Sequence, residues 1–151
     1  MPGDALHSDE EEIRAIIRRQ FASLTWTESA ARGWGDFAND FLVDAKLHPA
    51  ARPARPITVA DFVERMRGLS QTTLKTFQQE VLGVELRIFG NIALASVAGQ
   101  VTENDSDTSR SVEMLLLVKS EGRWQIAAQA WDKASDANPL PDELVSGATS
   151  R

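Results

Sequence analysis

The spacing of apolar residues changes once along this chain, from helical to alternating. From Phe77 onward, apolar side chains recur at every second position, as in a strand with one buried face. Phe77 and Val81 hold odd positions, whereas Val84 and Ile88 hold even ones. One residue is therefore out of step near Leu82-Gly83, which predicts a β-bulge that bends the strand.

Three further strands are predicted after the bent one. Gly90-Asn91 is typical of a tight hairpin turn, and Glu121-Gly122 predicts a second turn. The strands are expected at residues 92–102, 111–119 and 123–132, with a loop at 103–109. Because sequential strands joined by short turns pair antiparallel, we expect an antiparallel sheet.

Three segments before the strands have helical spacing. The first begins with the capping-box pair Ser8 and Glu11 and continues to about Arg32, with Gly33 as its stop. Its predicted buried face is Ile13, Ile16, Ile17, Gln20, Phe21 and Leu24. A short helix is expected at 34–40, and a third is capped by Thr58 with Asp61 and ends at Gly68 or Leu69. The three prolines within residues 47–56 predict a loop between them. Helices followed by antiparallel strands indicate the α+β class.

The length of 151 residues and the 42% apolar content fit a single domain. We expect that domain at residues 9–133, after a flexible N-terminus at 1–8. Residues 134–151 contain Pro139 and Pro141 and no apolar period, so they predict a C-terminal arm or a disordered tail.

Composition excludes several classes of function. The net charge of −6 argues against nucleic-acid binding, which needs a basic face. No apolar run approaches the ~18 residues of a membrane span. The absence of cysteine, the two histidines and the lack of a glycine-rich phosphate loop predict no metal and no cofactor. The acidic N-terminal residues contain no apolar segment typical of a secretory signal, so we expect a cytoplasmic protein.

The strand at residues 112–118 is apolar at every position except Glu113. An antiparallel sheet with one wet face would alternate instead, so both faces of this strand should be covered. Helices can cover one face, and a second copy of the sheet can cover the other. We therefore expect a homodimer through the outer sheet face. Glu113 is expected to point toward the partner subunit and to pair with a cation such as Arg110 or Arg123.

Three motifs indicate a known superfamily. They are Phe41-Leu-Val-Asp-Ala45, Phe89-Gly-Asn-Ile-Ala-Leu94 and Gly122-Arg-Trp-Gln-Ile-Ala-Ala-Gln-Ala-Trp-Asp132. With the element order, they make residues 9–133 resemble the nuclear-transport-factor-2-like superfamily, which includes SnoaL-like polyketide cyclases and ketosteroid isomerases. The resemblance implies a cone, in which a curved antiparallel sheet wraps about three N-terminal helices around a deep apolar pocket. It identifies a fold and leaves the function open.

The resemblance also implies which side chains line the pocket. On the strands these are Val97, Val101, Met114, Leu116, Gln129 and Trp131, a grouping that agrees with the alternation within each strand. Trp26, Phe62 and Met66 are the expected lining residues on the helical side.

The known catalytic sets of the superfamily are not matched. The ketosteroid isomerase base falls at Pro49, its oxyanion-site aspartic acid falls at Met114, and its tyrosine falls at Phe21 or Trp26. The chain contains no tyrosine that could replace the last. Of the epoxide hydrolase set, only the terminal acid has a counterpart, Asp132. Neither activity is therefore expected.

His48 is the one histidine outside the N-terminal segment, and it lies beside the position of the usual base. A neutral imidazole there can act as a general base, although a loop histidine can equally be solvated. Two functions stay open. The first is binding of a small hydrophobic or planar molecule, with lyase, isomerase or cyclase activity and His48 as catalyst. The alternative is a non-catalytic homodimer or accessory protein whose pocket its own side chains fill.

Overall fold

Four helices and six strands make up the part of the chain that the computed structural model describes, residues 2–27 and 34–149, with side chains for residues 5–27 and 34–145. The helices are α1 (Pro2–Ser23), α2 (Trp34–Asn39), α3 (Val59–Gln71) and α4 (Asp142–Thr149). The strands are β1 (Phe41–His48), β2 (Ile57–Thr58), β3 (Phe77–Phe89), β4 (Ile92–Glu103), β5 (Asp107–Ser120) and β6 (Arg123–Lys133).

The strands form one curved sheet in the order β2-β1-β6-β5-β4-β3. All neighbours pair antiparallel except β1 and β6, which pair parallel. Helices α1, α2 and α3 precede the long strands in the sequence, so the predicted α+β class is confirmed.

The bend in β3 comes from one extra residue. Val81 pairs with Gly99 and Gly83 pairs with Ala98, so Leu82 has no partner of its own. The predicted bulge is therefore confirmed. The turns at Gly90 and at Glu121-Gly122 have backbone φ angles of 57°, 53° and 76°, in the left-handed region that glycine adopts without steric cost.

Helix α1 packs on the concave face of the sheet. Ile13, Ile16 and Ile17 are almost wholly buried against it. Gly99 of β4 makes this approach possible, since a Cβ there would lie 3.0 Å from a ring carbon of Phe21. We call this face the inner face, and the opposite one the outer face.

Helix α4 lies against the outer face of β3 and β4. A Cβ on Gly83 would clash with the carbonyl oxygen of Leu144, so only glycine permits this contact. Ala98, the neighbour of Gly83 across the ladder, is fully buried. Since Ala98 alternates with Gly99, it faces the side of the sheet that α1 does not cover.

Both ends of the first predicted helix were wrong. Residues expected to be a flexible N-terminus are helical from Pro2, because proline at the first helical position loses no needed N–H bond. Ser8 therefore lies inside α1 and does not cap it. The helix ends at Ser23, because Trp26 leaves it to exchange two backbone hydrogen bonds with Phe77, of 2.8 and 2.9 Å. The predicted continuation through residues 28–33 lies outside the described residues.

Other elements also differ from expectation, and β5 begins at Asp107, inside the loop expected at 103–109. Strand β1 is not among the predicted strands, although Val43, Ala45 and Leu47 alternate with polar residues as in a strand. Helix α3 has the predicted cap, with the Thr58 hydroxyl accepting from the Asp61 N–H at 3.1 Å, but it continues to Gln71. The expected tail contains α4, which its buried Leu144 holds to the sheet.

No helix within the described ranges combines the length and the apolar character needed to cross a membrane.

The N-terminal half of α1 is tied to the turn between β5 and β6 by two carboxylates. One Asp9 oxygen accepts from Lys119 Nζ at 2.8 Å and from the Trp124 indole N–H at 2.9 Å. Glu12 accepts from the Trp124 backbone N–H at 3.0 Å. The Lys119 bond, followed by the Trp124 bond, lowers the pKa of Asp9 below its ordinary value.

We expect Asp9→Ala to lower the free energy of unfolding by about 2 kcal/mol near neutral pH, because two donors lose a charged acceptor. The stabilisation needs the carboxylate. It is therefore present above the ordinary pKa of 3.8 and is lost as the pH falls through the lowered pKa of the folded protein. Urea denaturation at neutral and at strongly acidic pH measures both effects. Glu11→Ala, at an exposed position of the same helix, is the control, and an equal loss in both variants would contradict this role.

Candidate functional site

A cavity of about 310 Å³ lies between the inner face of the sheet and the helices. Most of its wall is apolar, and it contains the aromatic side chains of Phe37, Phe62, Phe77 and Trp131. The ring of Phe62 stacks on Phe37 at 5.4 Å and meets Trp131 edge-on at 5.7 Å. Flat apolar walls of this kind favour a planar ligand.

Three polar side chains are joined inside this apolar cavity. The side-chain amides of Gln20 and Gln129 donate to each other, with both N–O distances 2.8 Å. The second amide hydrogen of Gln129 is donated to a carboxyl oxygen of Glu113. Gln20 and Gln129 are only 3% and 4% exposed, so α1 fixes the amide that holds the carboxyl group.

Burial raises the pKa of Glu113 to about 7. Desolvation is the dominant cause, because the cavity wall cannot solvate a carboxylate as water does. The hydrogen bond from Gln129 acts in the opposite direction, since it stabilises the charged form. Near neutral pH the carboxyl group therefore exchanges readily between its acid and its base.

No cation compensates this carboxyl group among the described residues. Their ion pairs involve the carboxylates of Asp9, Glu10, Asp40 and Glu64 instead. The two expected partners are occupied elsewhere. Arg110 donates to the Gln100 side chain at 3.0 Å, and Arg123 donates to the Asn39 carbonyl at 2.7 Å.

Five of the predicted lining residues come together at this cavity: Phe62, Met66, Val101, Gln129 and Trp131. Trp26 does not line it. Its ring is 1% exposed, stacks on Phe77 at 4.9 Å and donates to the Leu74 carbonyl at 3.0 Å. Val97 pairs with Glu113 but is fully buried in the core.

Strand β5 has the opposite orientation to the one expected. Met114 and Leu116 lie on the outer face, 59% and 42% exposed, while Leu115 and Leu117 are buried. Glu113 shares the orientation of Leu115, so it points into the cavity and not toward a partner subunit. Nearly every position of β5 is apolar, so alternation alone could not decide which face is buried. The ketosteroid isomerase pattern, which puts Met114 in the pocket, implies the wrong face.

The signal for the cavity carboxyl group was present in the sequence. Glu113 interrupts a run whose other members are all apolar, and such a residue fits a functional site as well as an ion pair. Gln20 is similarly the one polar member of the predicted apolar face of α1. The contact between Glu113 of β5 and Gln20 of α1 is made through Gln129. It depends on tertiary structure, and no sequence pattern indicates it.

His48 lies at a second cavity, of about 340 Å³, and is not brought to the lining of the first. Met114, Asp132 and Arg52 share this second cavity with it. Trp131 contributes to both, so the two cavities lie on either side of the end of β6. The described residues contain no group of three or more side chains that could hold a metal ion.

Comparison with known proteins bears on the fold. No family model matches the sequence, and no curated protein matches it. Solved structures do match. A protein of unknown function from Pseudomonas putida aligns over 90% of this chain and 96% of its own, with 15% identity and a TM-score of 0.69, and is described as nuclear-transport-factor-2-like.

This chain has the nuclear-transport-factor-2-like fold. An uncharacterised protein with a cystatin-like fold from Caulobacter vibrioides covers 91% of this chain and 97% of its own length, at 20% identity and a TM-score of 0.66. A proposed scytalone dehydratase from Novosphingobium aromaticivorans covers 88% of this chain and 89% of its own length, at 10% identity and a TM-score of 0.70. At these sequence identities, the similarity to these structures shows the fold alone.

The raised pKa of Glu113 makes stability depend on pH. The folded protein holds this proton more tightly than the unfolded chain does, so the contribution is fully present below pH 4.5 and is lost as the pH rises through about 7. The difference between these two values corresponds to about 3 kcal/mol.

We expect urea denaturation to show this loss as a difference between wild type and Glu113→Gln. The free energy of unfolding of wild type, relative to that of Glu113→Gln, should decrease by about 2–3 kcal/mol between acidic and mildly alkaline pH. Glu85→Gln, an exposed substitution on β3, is the matched control. Parallel pH profiles for wild type and Glu113→Gln would show that the carboxyl group is not desolvated.

Proposed function

We propose that this protein binds a small planar hydrophobic molecule in the inner cavity and transfers a proton on it, with Glu113 as the acid–base group. The observation that supports this proposal is a carboxyl group in an apolar cavity. Its pKa is raised to about 7, and a side-chain amide donates a hydrogen bond to it. A group whose pKa matches the working pH is an efficient proton carrier.

The proposed step needs no external reagent. The carboxylate of Glu113 takes a proton from a carbon atom next to a carbonyl group, and the electron pair of the broken C–H bond moves toward that carbonyl. The resulting carboxylic acid returns the proton to the same molecule at another atom, or protonates a leaving hydroxyl group. Isomerisation, elimination of water and ring closure all belong to this class of reaction.

Gln129 is proposed as the positioning residue. Its amide donates to Glu113 and is itself locked by Gln20, so the carboxyl group is held in one orientation. Such preorganisation avoids the cost of orienting the base during the reaction.

The cavity supports binding over the alternative of a core filled by its own side chains. Its volume is at the lower end of the roughly 300–1,000 Å³ typical of small-molecule sites. The likeness to the proposed scytalone dehydratase of Novosphingobium aromaticivorans agrees with a lyase but, at 10% identity, contributes only a shared fold.

We also propose that the outer face forms a homodimer. Leu94 and Leu116 pair directly across β4 and β5, and Met114 lies one position further along the same face. They are 55%, 42% and 59% exposed, and contiguous apolar surface of this kind is typical of an interface. A second copy of the sheet would cover it.

The acid–base role is tested with a carbon acid of suitable shape, 2-tetralone, in deuterated water. We expect the wild-type protein to accelerate exchange of its α-hydrogens, followed by NMR, and Glu113→Gln to slow that exchange by about 10² or more. The wild-type exchange rate should decrease when the pH is lowered below about 7, because the carboxylate is then protonated. His48→Gln is the matched control and should retain the rate.

The opposite result, loss of exchange in His48→Gln and not in Glu113→Gln, would assign the base to the second cavity. Binding of 2-tetralone without any exchange would leave a binding protein and remove the enzymatic proposal.

The dimer is tested by light scattering. We expect a mass twice the 16.6 kDa of the chain, and a monomer for Leu116→Lys, because a buried unpaired charge opposes association. Val43→Lys, at a position 97% exposed on β1, should remain dimeric. A monomeric wild type would contradict the interface.

A further inference from the structure

The opening of the inner cavity carries positive charge. Among the described residues, three members of the cavity wall are exposed to solvent, namely Ala51, Arg65 and Lys133. They therefore lie where the cavity meets water, and two of the three are cations. The chain contains 22 acidic and 16 basic residues, so this pair is opposite in sign to the net charge of −6.

Helix α3 places Arg65 at the cavity beside apolar residues. Phe62 and Met66 line the cavity four residues apart, and Arg65 follows Phe62 by three residues, so all three lie on one side of the helix. Within the described ranges, no hydrogen bond or ion pair engages the Arg65 guanidinium group. Arg67 of the same helix, in contrast, pairs with Glu64 at 2.8 Å. The charge of Arg65 is therefore available to a ligand.

The last residue of β6, Lys133, reaches the opening from the sheet. It follows Gln129 and Trp131 at intervals of two residues, so the three side chains share the inner face. Register places Trp131 opposite Glu113 and Lys133 opposite Ser111. One strand spacing and two residue rises separate the Lys133 and Glu113 backbones by about 8 Å. In the part of the chain that the structure describes, no carboxylate forms an ion pair with Lys133.

Other charged groups near the opening do not cancel this pair. Arg52, in the loop beside the opening, donates to the backbone carbonyls of residues 49–51 at 2.9–3.2 Å. Glu103 also lines the cavity, but it forms no ion pair with Arg65 or Lys133. Two cations and one carboxylate leave this end of the cavity positive.

We propose, on the basis of the function proposed above, that the ligand of the inner cavity is a planar hydrophobic carboxylate whose charged group binds Arg65 and Lys133 at the opening. Guanidinium and ammonium groups donate strong, charge-assisted hydrogen bonds to carboxylate oxygens. The apolar part of the ligand extends past Phe62 and Trp131 toward Glu113. This orientation keeps the negative charge of the ligand away from the Glu113 carboxylate, which would repel it, and brings the uncharged end to the proton carrier. The two cations thus determine specificity and do not touch the reacting atoms.

The experiment compares 2-naphthoate with 2-naphthamide, two planar probes of nearly the same shape that differ in charge. Both are titrated calorimetrically into the full chain at low salt and about pH 6, where most of Glu113 is protonated and the carboxylate probe is ionised. We expect wild type to bind the carboxylate about tenfold more tightly than the amide. Added salt should reduce this preference, because it screens charges at an exposed opening.

Four variants locate the source of the preference. Arg65→Gln and Lys133→Gln should each lower it about threefold, and the double variant should abolish it while leaving 2-naphthamide affinity unchanged. Arg65→Lys keeps the charge and should keep most of the preference. Arg67→Gln removes the same charge from the same helix at a position outside the cavity wall, so it is the matched control and should retain the full preference.

Equal binding of the two probes by wild type, or a preference that survives in the double variant, would overturn this inference and leave the acid–base proposal standing. An equal loss in Arg67→Gln would assign the preference to the overall charge of the protein and so contradict a role of the opening. If neither probe binds wild type, both this inference and the proposed binding function are wrong.

Discussion

The hydrogen bond from Gln129 to Glu113 connects the sheet, the cavity and the first helix. It joins β6 to β5 on the inner face, and through Gln20 it reaches α1. Because Glu113 points inward, the alternate residues Met114 and Leu116 must point outward. The orientation of β5 therefore places a carboxyl group in the inner cavity and apolar side chains on the outer face.

Most of the fold could be predicted because its signals are local. A change of apolar spacing, an out-of-step residue at Leu82, a Gly90-Asn91 turn and a Thr58 cap each involve neighbouring residues. What could not be predicted depends on distant contacts. Strand β1 pairs in parallel with β6 far along the chain, and α1 ends where Trp26 meets Phe77. Such pairings override the local preference for continuing a helix or a loop.

The site was predictable only in part, for reasons of strand geometry. Alternation predicts that Val101, Gln129 and Trp131 share a face with the pocket, and all three line the inner cavity. In β6 a second irregularity, at Ala127, lets Ile126 face the core although its position has the opposite parity to Gln129. In β5 both faces are mostly apolar, so the sequence does not show which of them is buried. Only the folded structure brings Glu113 to Gln129, because that pairing requires the register of two strands.

Polar groups inside an apolar cavity cost free energy. Glu113 loses hydration there, and the acceptor of Gln79 has no partner. The surrounding core consists of aliphatic and aromatic side chains. On the proposed function, a ligand that forms a hydrogen bond with Glu113 would recover part of this free energy on binding, and a wholly apolar ligand of the same shape would not. Under this proposal the polar group in the cavity determines selectivity, while the apolar walls contribute affinity.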